Sequence, residues 1–275
     1  MLLYSLEDNL IPKLIFFLIM TLHMTPQQVQ KLLLVYPEFL GYNLERHILP
    51  MAQYFLTELE LNSLEFQKIF LKFPRIVTFS LQKIKYVVGY LRYEVGLNAE
   101  QVRRVLYQSP QIMGLDTENN LKKKVNFLQI SFNLTDEQLR TVVAGMPSLL
   151  YLSLEKNLQP KLDYLRSVFV GDEANLRDTV LRLPTLLGYS LENRIRPRMQ
   201  AILQAGLDPS SITVGIPMKH EPFEGWLHRR SYKEKRKREE GALGDYAMTP
   251  ITDSFVPQDP SGRVAHWTRE RRPRS

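Results

Sequence analysis

The chain has 275 residues, 44% of them hydrophobic, a formal net charge of +7 and no cysteine. A chain of this size can bury a substantial core. The lack of cysteine excludes a disulfide framework, a thiol nucleophile and a thiolate zinc site. The five histidines share no metal-ligand spacing, and no phosphate-binding glycine loop is present. We therefore predict that the protein is not an enzyme and uses no cofactor or metal.

The first element is apolar, and its longest apolar run, LIFFLIMTL, covers residues 14–22. This run is about half of the roughly 20 residues that a membrane-spanning helix needs. We predict a buried helix and no membrane association. No basic, serine-rich leader of the kind found in transit peptides precedes it.

Prolines then recur along the chain at a nearly constant interval. They are Pro37, Pro74, Pro110, Pro147 and Pro184, which stand 37, 36, 37 and 37 residues apart. Self-similarity at such a period indicates stacked structural repeats that share one continuous core. Such arrays usually bind a partner along an extended surface instead of enclosing an active site.

A first helix is predicted to begin twelve residues before each proline. The positions concerned are Thr25, Asn62, Asn98, Thr135 and Asp172. Their side-chain oxygens can accept a hydrogen bond from a free amide of the first helical turn. A Gln or Glu three residues later completes a capping box in four copies, and Asn175 is a weaker match in the fifth. The proline ends the helix, because it disfavours helical geometry in the residue before it.

A second helix is predicted to begin six residues after each proline. Its cap residues are Asn43, Ser80, Asp116, Ser153 and Ser190, with Ser5 in register near the start of the chain. Apolar side chains recur at the first, fifth, ninth and twelfth positions after the cap, which is typical of an amphipathic helix. Prolines at the seventh position in four copies are expected to bend it, and one copy is a residue short before Ile84.

The joint pattern resembles the mitochondrial transcription termination factor family, mTERF. The resemblance rests on the period, on turns such as PTLLGYS (184–190) and on SLEKNLQPKLDYL (153–165), and it covers residues 1–228. It implies an all-α, curved helical-repeat solenoid of about six units, each with two helices and a short 3-10 turn, the first unit being incomplete. It also implies a mitochondrial or chloroplast protein that binds nucleic acid along its concave groove, in transcription termination or RNA processing.

Two columns of basic residues recur with the repeats, and we predict that they contact phosphates. Stacked repeats would bring each column into a ladder of positive charge. The eighth position of the second helix holds Lys13, Lys124, Lys161 and Arg198, and Arg103, Arg140 and Arg177 stand seven residues before a proline. Arg194 and Arg196 add to these columns. The competing interpretation is that these charges merely solvate helix faces.

The chain beyond the repeats, residues 229–275, carries RRSYKEKRKREEG and ends in RERRPRS. We predict a basic, disordered tail that adds salt-sensitive affinity for nucleic acid. Phe223, Trp226 and Leu227, just before it, are expected to cover the last open apolar face.

Several functions stay open at the level of sequence. The array could bind duplex DNA or RNA, and it could act with organelle transcription or RNA-processing proteins. An RNA-specific splicing or ribosome-assembly factor is one alternative, and a protein-binding helical scaffold is another.

Overall fold

The structure is a computed structural model that describes residues 11, 18–19 and 21–246, with side chains described up to residue 239. Lys13, Ser5 and Pro12 lie outside the described residues, as does most of the apolar run 14–22. Within the described part of the chain all regular secondary structure is helical. The predicted all-α repeat architecture is therefore confirmed.

Five consecutive repeats, numbered here 1 to 5, each begin with a first helix. These helices span Pro26–Val35, Ser63–Lys72, Ala99–Gln108, Asp136–Gly145 and Glu173–Arg182. Every predicted cap residue accepts a hydrogen bond from the amide three residues later, and the full capping box forms in repeats 1 to 4. The weaker match, Asp172 with Asn175, forms only the first of the two bonds.

Each repeat proline begins a 3-10 turn that redirects the chain. The turns span Pro37–Gly41, Pro74–Thr78, Pro110–Gly114, Pro147–Tyr151 and Pro184–Gly188. The residue before each proline lies outside the helical region, with φ near −140° and ψ near 70°. This is the restriction that proline imposes on its predecessor, so the prolines end the first helices as predicted.

Each turn is followed by a second helix. In repeats 1 to 3 its segments are Leu44–Ile48, Leu49–Gln53 and Tyr54–Glu58; Leu81–Gly89 and Tyr90–Glu94; and Thr117–Leu121 and Lys122–Ser131. In repeats 4 and 5 they are Leu154–Leu158 and Gln159–Phe169, and Leu191–Ile195 and Arg196–Gln204. The five predicted caps again accept bonds from the amide three residues on.

Four of the second helices begin with a π-helical turn, and repeat 2 does not. A π turn holds one residue more than an α turn. Repeat 2 is the copy that is one residue short, and its second helix is α-helical from Leu81. Repeat 3 has the π turn although Lys123 stands where other copies have proline. The extra residue, and not the proline, therefore accompanies the wide turn.

Each loop before a repeat or the terminal unit contains a residue in a left-handed conformation at the same position. The residues and their φ angles are His23 (51°), Glu60 (53°), Gly96 (80°), Asn133 (47°), Val170 (47°) and Gly206 (70°), and Gly171 (82°) adds a second one after Val170. Left-handed geometry at a helix end satisfies its last carbonyl groups. The fold requires a left-handed backbone conformation at this position. The conformation therefore recurs with the repeat period, although the residue type does not.

One continuous core runs through the array, from Leu18 to Phe223. A terminal unit follows repeat 5, with short helices at Pro209–Ser211 and Ile212–Gly215 and a long C-terminal helix at His220–Tyr246. Phe223 is buried and Trp226 stacks on it, with ring centres 5.9 Å apart, as expected of residues that close the core. The prediction of a disordered tail from residue 229 is wrong as far as residue 246, because the helix continues; 247–275 lie outside the described residues.

Candidate nucleic-acid interface

Two of the predicted phosphate-binding lysines lie buried between repeats. Lys124 and Lys161 are only 6% and 3% exposed. The Lys124 Nζ donates to the Leu150 carbonyl at 2.7 Å, and the Lys161 Nζ donates to the Leu187 carbonyl at 2.6 Å. Both carbonyls belong to the 3-10 turn of the following repeat. Burial lowers the pKa of both lysines.

The arginines of repeat 5 make the same kind of link to the terminal unit. Arg198 donates through Nη1 to the carbonyls of Gly215 and Ile216, and its guanidinium lies 4.7 Å from the centre of the Phe223 ring. Arg194 donates to the Ile216 and Met218 carbonyls at 2.9 and 2.8 Å. These two predicted site residues therefore hold the terminal unit onto the array.

Repeats 1 and 2 carry equivalent links from other positions of the second helix. The Lys83 Nζ donates to the Gly114 carbonyl at 3.1 Å, and His47 Nε2 is hydrogen-bonded to the Val77 carbonyl. These residues stand about one helical turn before the position of Lys124 and Lys161, on the same side of the helix. We call all these bonds from a second helix to the next turn the inter-repeat ties. The residues that make these bonds occupy two different positions of the second helix. A pattern that recurs at a single position therefore does not reveal all of them.

The arginines Arg103 and Arg140, on the first helices of repeats 3 and 4, lie against the loop that precedes the previous repeat. Arg103 forms an ion pair with Glu60 at 2.9 Å, and Arg140 lies beside Gly96, with Nη1 3.2 Å from where a Cβ would stand. At the same position of repeat 2, Gln67 donates to the Leu22 carbonyl at 2.8 Å. Arg177 lies 3.9 Å from Asp178, and its buried Nε has no hydrogen-bond partner among the described residues. Arg103 and Arg140 thus also lie between repeats.

Arg196 contacts one residue of its own repeat and one of the preceding repeat. Its guanidinium pairs with Glu192 at 3.0 Å and lies 4.4 Å from the centre of the Tyr164 ring. Six of the predicted residues are thus held by hydrogen bonds or ion pairs, namely Arg103, Lys124, Lys161, Arg194, Arg196 and Arg198, whereas Arg140 only lies beside Gly96 and Arg177 has Asp178 at 3.9 Å. The assumption that they form exposed ladders is wrong for Lys124 and Lys161. Their contact with nucleic acid stays a prediction, and the burial of both side chains weighs against it.

A different column of basic residues is exposed. Lys31, Lys68 and Arg104 stand six residues after the caps of repeats 1, 2 and 3 and lie on the solvent side of the first helices. Within the described part of the chain none of them has a carboxylate oxygen within 4.0 Å. We call these three residues the basic ladder. Thr141 and Asp178 occupy the same position in repeats 4 and 5.

The repeat geometry agrees with the sequence family of the chain. A model of the mTERF family matches residues 1–93 and 53–223. The chain belongs to the mTERF family. No curated protein shows significant similarity to it. The suspected resemblance is therefore confirmed at the level of the family.

Among the described residues of this mTERF protein no group of three or more His, Asp or Glu side chains is placed to hold a metal ion. No helix within the same residues has the length and apolar character needed to cross a membrane.

Proposed function

We propose that this mTERF protein binds nucleic acid through backbone phosphates and regulates gene expression in mitochondria or chloroplasts by occupying the bound segment. Transcription termination and RNA processing are the processes that such occupancy would serve. The observation that carries the proposal is the basic ladder, an exposed column of positive charge on three successive repeats with no carboxylate oxygen within 4.0 Å in the described part of the chain.

The packing of the repeats supports a regular spacing of the ladder. In repeats 2 to 5 the first helices contact one another directly, and the second helices of repeats 2 and 3 pack on the next turn. Packed helices lie about 8–10 Å apart, whereas one strand of a duplex carries a phosphate for about every 3.4 Å of helix axis. If the repeats stack along that axis, one ladder residue would meet about every third phosphate, and contacts of this kind carry no base information.

The proposal is tested by removing the ladder. A triple variant, Lys31→Ala, Lys68→Ala and Arg104→Ala, should bind duplex DNA or structured RNA more weakly, whatever its sequence. Fluorescence anisotropy at several salt concentrations should show the slope of log affinity against log salt flattening by up to about 3. Competition among duplex DNA, structured RNA and single-stranded RNA then identifies the preferred nucleic acid.

A matched control removes three exposed basic residues from the second helices. Arg92→Ala, Lys123→Ala and Lys156→Ala changes the net charge equally but leaves the ladder intact. The control should retain most of the affinity. Equal losses in both triple variants, or no loss in either, would contradict a role for the ladder.

A second candidate function, a protein-binding scaffold, is favoured by exposed apolar side chains on the first helices. Leu34, Val35 and Leu64 are all largely exposed in repeats 1 and 2. Contiguous exposed apolar surface is typical of protein–protein contacts. Binding through these residues would depend little on salt, so the salt titration separates the two functions.

A further inference from the structure

Two successive loops differ in the side chain that they place against a first-helix arginine. Glu60, in the loop before repeat 2, forms an ion pair with Arg103 of repeat 3 at 2.9 Å. Gly96 holds the same position in the loop before repeat 3, and Arg140 of repeat 4 lies against it. Because Gly96 has no side chain, the Arg140 guanidinium lacks the carboxylate that its counterpart has. No carboxylate oxygen of the described residues lies within 4.0 Å of it.

A cleft of about 420 Å³ lies at this position. It is formed by the second helices of repeats 2 and 3, the loop at Gly96 and the first helix of repeat 4, and the half-buried Arg140 lines it. Volumes of this size are typical of sites that bind small groups. The other charged or amide side chains of the cleft are those of Glu94, Lys122, Asn126, Gln129 and Asp136.

The acidic groups that line the cleft have partners of their own. Glu94 pairs with Lys122 at 3.2 Å, and the Asp136 carboxylate accepts a hydrogen bond from Gln129 Nε2 at 2.8 Å. Among the described charges of the cleft, Arg140 is thus the one with no oppositely charged or hydrogen-bonded partner. A guanidinium forms its strongest hydrogen bonds with a carboxylate, so an acidic group from outside would complete this cleft.

Two large apolar side chains are exposed beside the cleft. Tyr93 lines it and is 82% exposed, and Ile130, next to the lining residue Gln129, is 80% exposed. They hold equivalent positions on neighbouring second helices, three residues before the left-handed residues Gly96 and Asn133. Tyrosine and arginine are enriched where proteins contact one another, and exposed apolar side chains beside them supply contact area.

We propose that this cleft docks an acidic side chain of a partner protein, with its carboxylate on Arg140 and an adjoining apolar side chain against Tyr93 and Ile130. Charge complementarity argues for this occupant, because the carboxylate of Glu60 fills the same position one repeat earlier. The ion pair would orient the partner, and the apolar contact would add affinity. The inference goes beyond the proposed function, since it needs no nucleic acid and uses no residue of the basic ladder.

The test titrates the full chain with a blocked tripeptide of leucine, glutamate and leucine. The NMR signal of the Gly96 amide reports whether the cleft is occupied. The glutamate peptide should shift this signal until it saturates, and the same peptide with glutamine in place of glutamate should bind at least about tenfold more weakly. Equal affinities for the two peptides, or no saturable shift with the glutamate peptide, would overturn the proposal.

Sodium acetate separates a protein partner from a free carboxylate. It supplies the charge without the apolar side chains, so it should bind much more weakly than the glutamate peptide. Equal affinity for acetate and the peptide would mean that the cleft takes any carboxylate, and would overturn the docking of a protein.

Three variants test the parts of the site separately. Arg140→Gln should remove the preference for the glutamate peptide over the glutamine peptide, and Tyr93→Ala should weaken the binding of both by a similar factor. Gly96→Glu should supply the carboxylate from within the chain, as Glu60 does for Arg103, and so exclude the peptide. Unchanged affinity for the glutamate peptide in Arg140→Gln or in Gly96→Glu would contradict the assignment.

The matched control is Lys123→Gln, which removes one exposed positive charge of repeat 3 that does not line the cleft. It should leave the affinity for both peptides unchanged. A loss equal to that of Arg140→Gln would indicate unspecific attraction and overturn the proposal. The ladder variant should bind the glutamate peptide as the wild type does, so a failure of duplex binding and a failure of peptide binding are observed independently.

Discussion

Lys161 and Lys68 show two uses of the same residue type within one repeat architecture. Lys161 is buried and donates to a carbonyl of the next repeat, whereas Lys68 is exposed on a first helix, 5.7 Å from the centre of the Tyr107 ring. Both stand in columns that recur at the repeat period. Recurrence therefore identifies a position that matters, but the neighbouring repeat decides whether its charge serves stacking or remains accessible to a ligand.

Lys161 and Lys68 differ because only Lys161 faces a backbone carbonyl that needs a hydrogen-bond donor. A short 3-10 turn leaves carbonyl groups without helical partners, and a buried one is costly if it stays unpaired. A lysine on the preceding second helix is long enough to supply the bond while its stem packs in the interface. Lys68 is exposed on a first helix and makes no such bond among the described residues, so it stays available for phosphates.

The largest expected effect comes from breaking an inter-repeat tie. Lys161→Ala should lower the free energy of unfolding by about 3 kcal/mol, because it leaves the Leu187 carbonyl unpaired and a cavity in the interface. Urea denaturation followed by circular dichroism measures this. The neighbouring exposed Lys156→Ala serves as control and should change stability by less than about 0.5 kcal/mol. A Lys161→Ala variant with full stability but reduced nucleic-acid affinity would restore the original interpretation of the column.

A smaller effect is expected from extending the basic ladder into repeats 4 and 5. Thr141→Lys with Asp178→Lys places lysines where the first three repeats already have basic residues. If the bound nucleic acid follows the first helices, each new contact should raise affinity by up to roughly tenfold near 0.1 M salt and steepen the salt slope by about 1. Unchanged affinity would mean that the ligand contacts only repeats 1 to 3.

The loops between repeats give a third comparison, at the level of the backbone. Val170 is a β-branched residue at φ 47°, 86% exposed, where the equivalent positions in repeats 2 and 5 hold Gly96 and Gly206. Val170→Gly should stabilise the fold by about 1 kcal/mol, since only the strained backbone is relieved. Ser167→Gly, in the helix just before it, should instead destabilise by about 0.5–1 kcal/mol. Thermal denaturation of the two variants measures both changes in stability. A loss of stability in Val170→Gly as well as in Ser167→Gly would contradict the predicted relief of strain.

The smallest expected effect is a pH dependence of the tie. Burial lowers the folded-state pKa of Lys161 below the ordinary value of 10.5, so the unfolded chain binds this proton more tightly. The stability of the wild type relative to Lys161→Met should rise with pH between the lowered pKa and about 10.5. Comparing the two proteins cancels the tyrosines, of which Tyr54 and Tyr90 have their pKa raised by burial to about 12. A stability difference that falls with pH would contradict the assignment.

Local chemistry made most of the fold predictable. Cap residues and prolines act within a few residues of themselves, so Asn62 and Pro74 were enough to locate the ends of a first helix. The one-residue deletion before Ile84 was visible in the sequence, but its meaning as a missing π turn required the backbone. The left-handed positions escaped notice because Glu60 and Val170 are not typical of that conformation.

The candidate site was less predictable, because it depends on contacts between repeats. Lys124 reads as a surface residue at the edge of an apolar stripe, and only the next turn, 26 residues away, shows that its Nζ is enclosed. The helix beyond Arg229 was missed for a related reason. Its charged composition is typical of disorder, and anchoring by Phe223 and Arg238 is a tertiary effect.

The inter-repeat ties also bear on how the molecule would respond to force. Each tie joins one second helix to the very next turn and reaches no further, so a pull applied at the two ends loads the interfaces in series. Such a chain should lengthen in discrete steps, one repeat at a time. In an optical-tweezers experiment, each unfolding step should release the contour length of about 37 residues, which is one repeat.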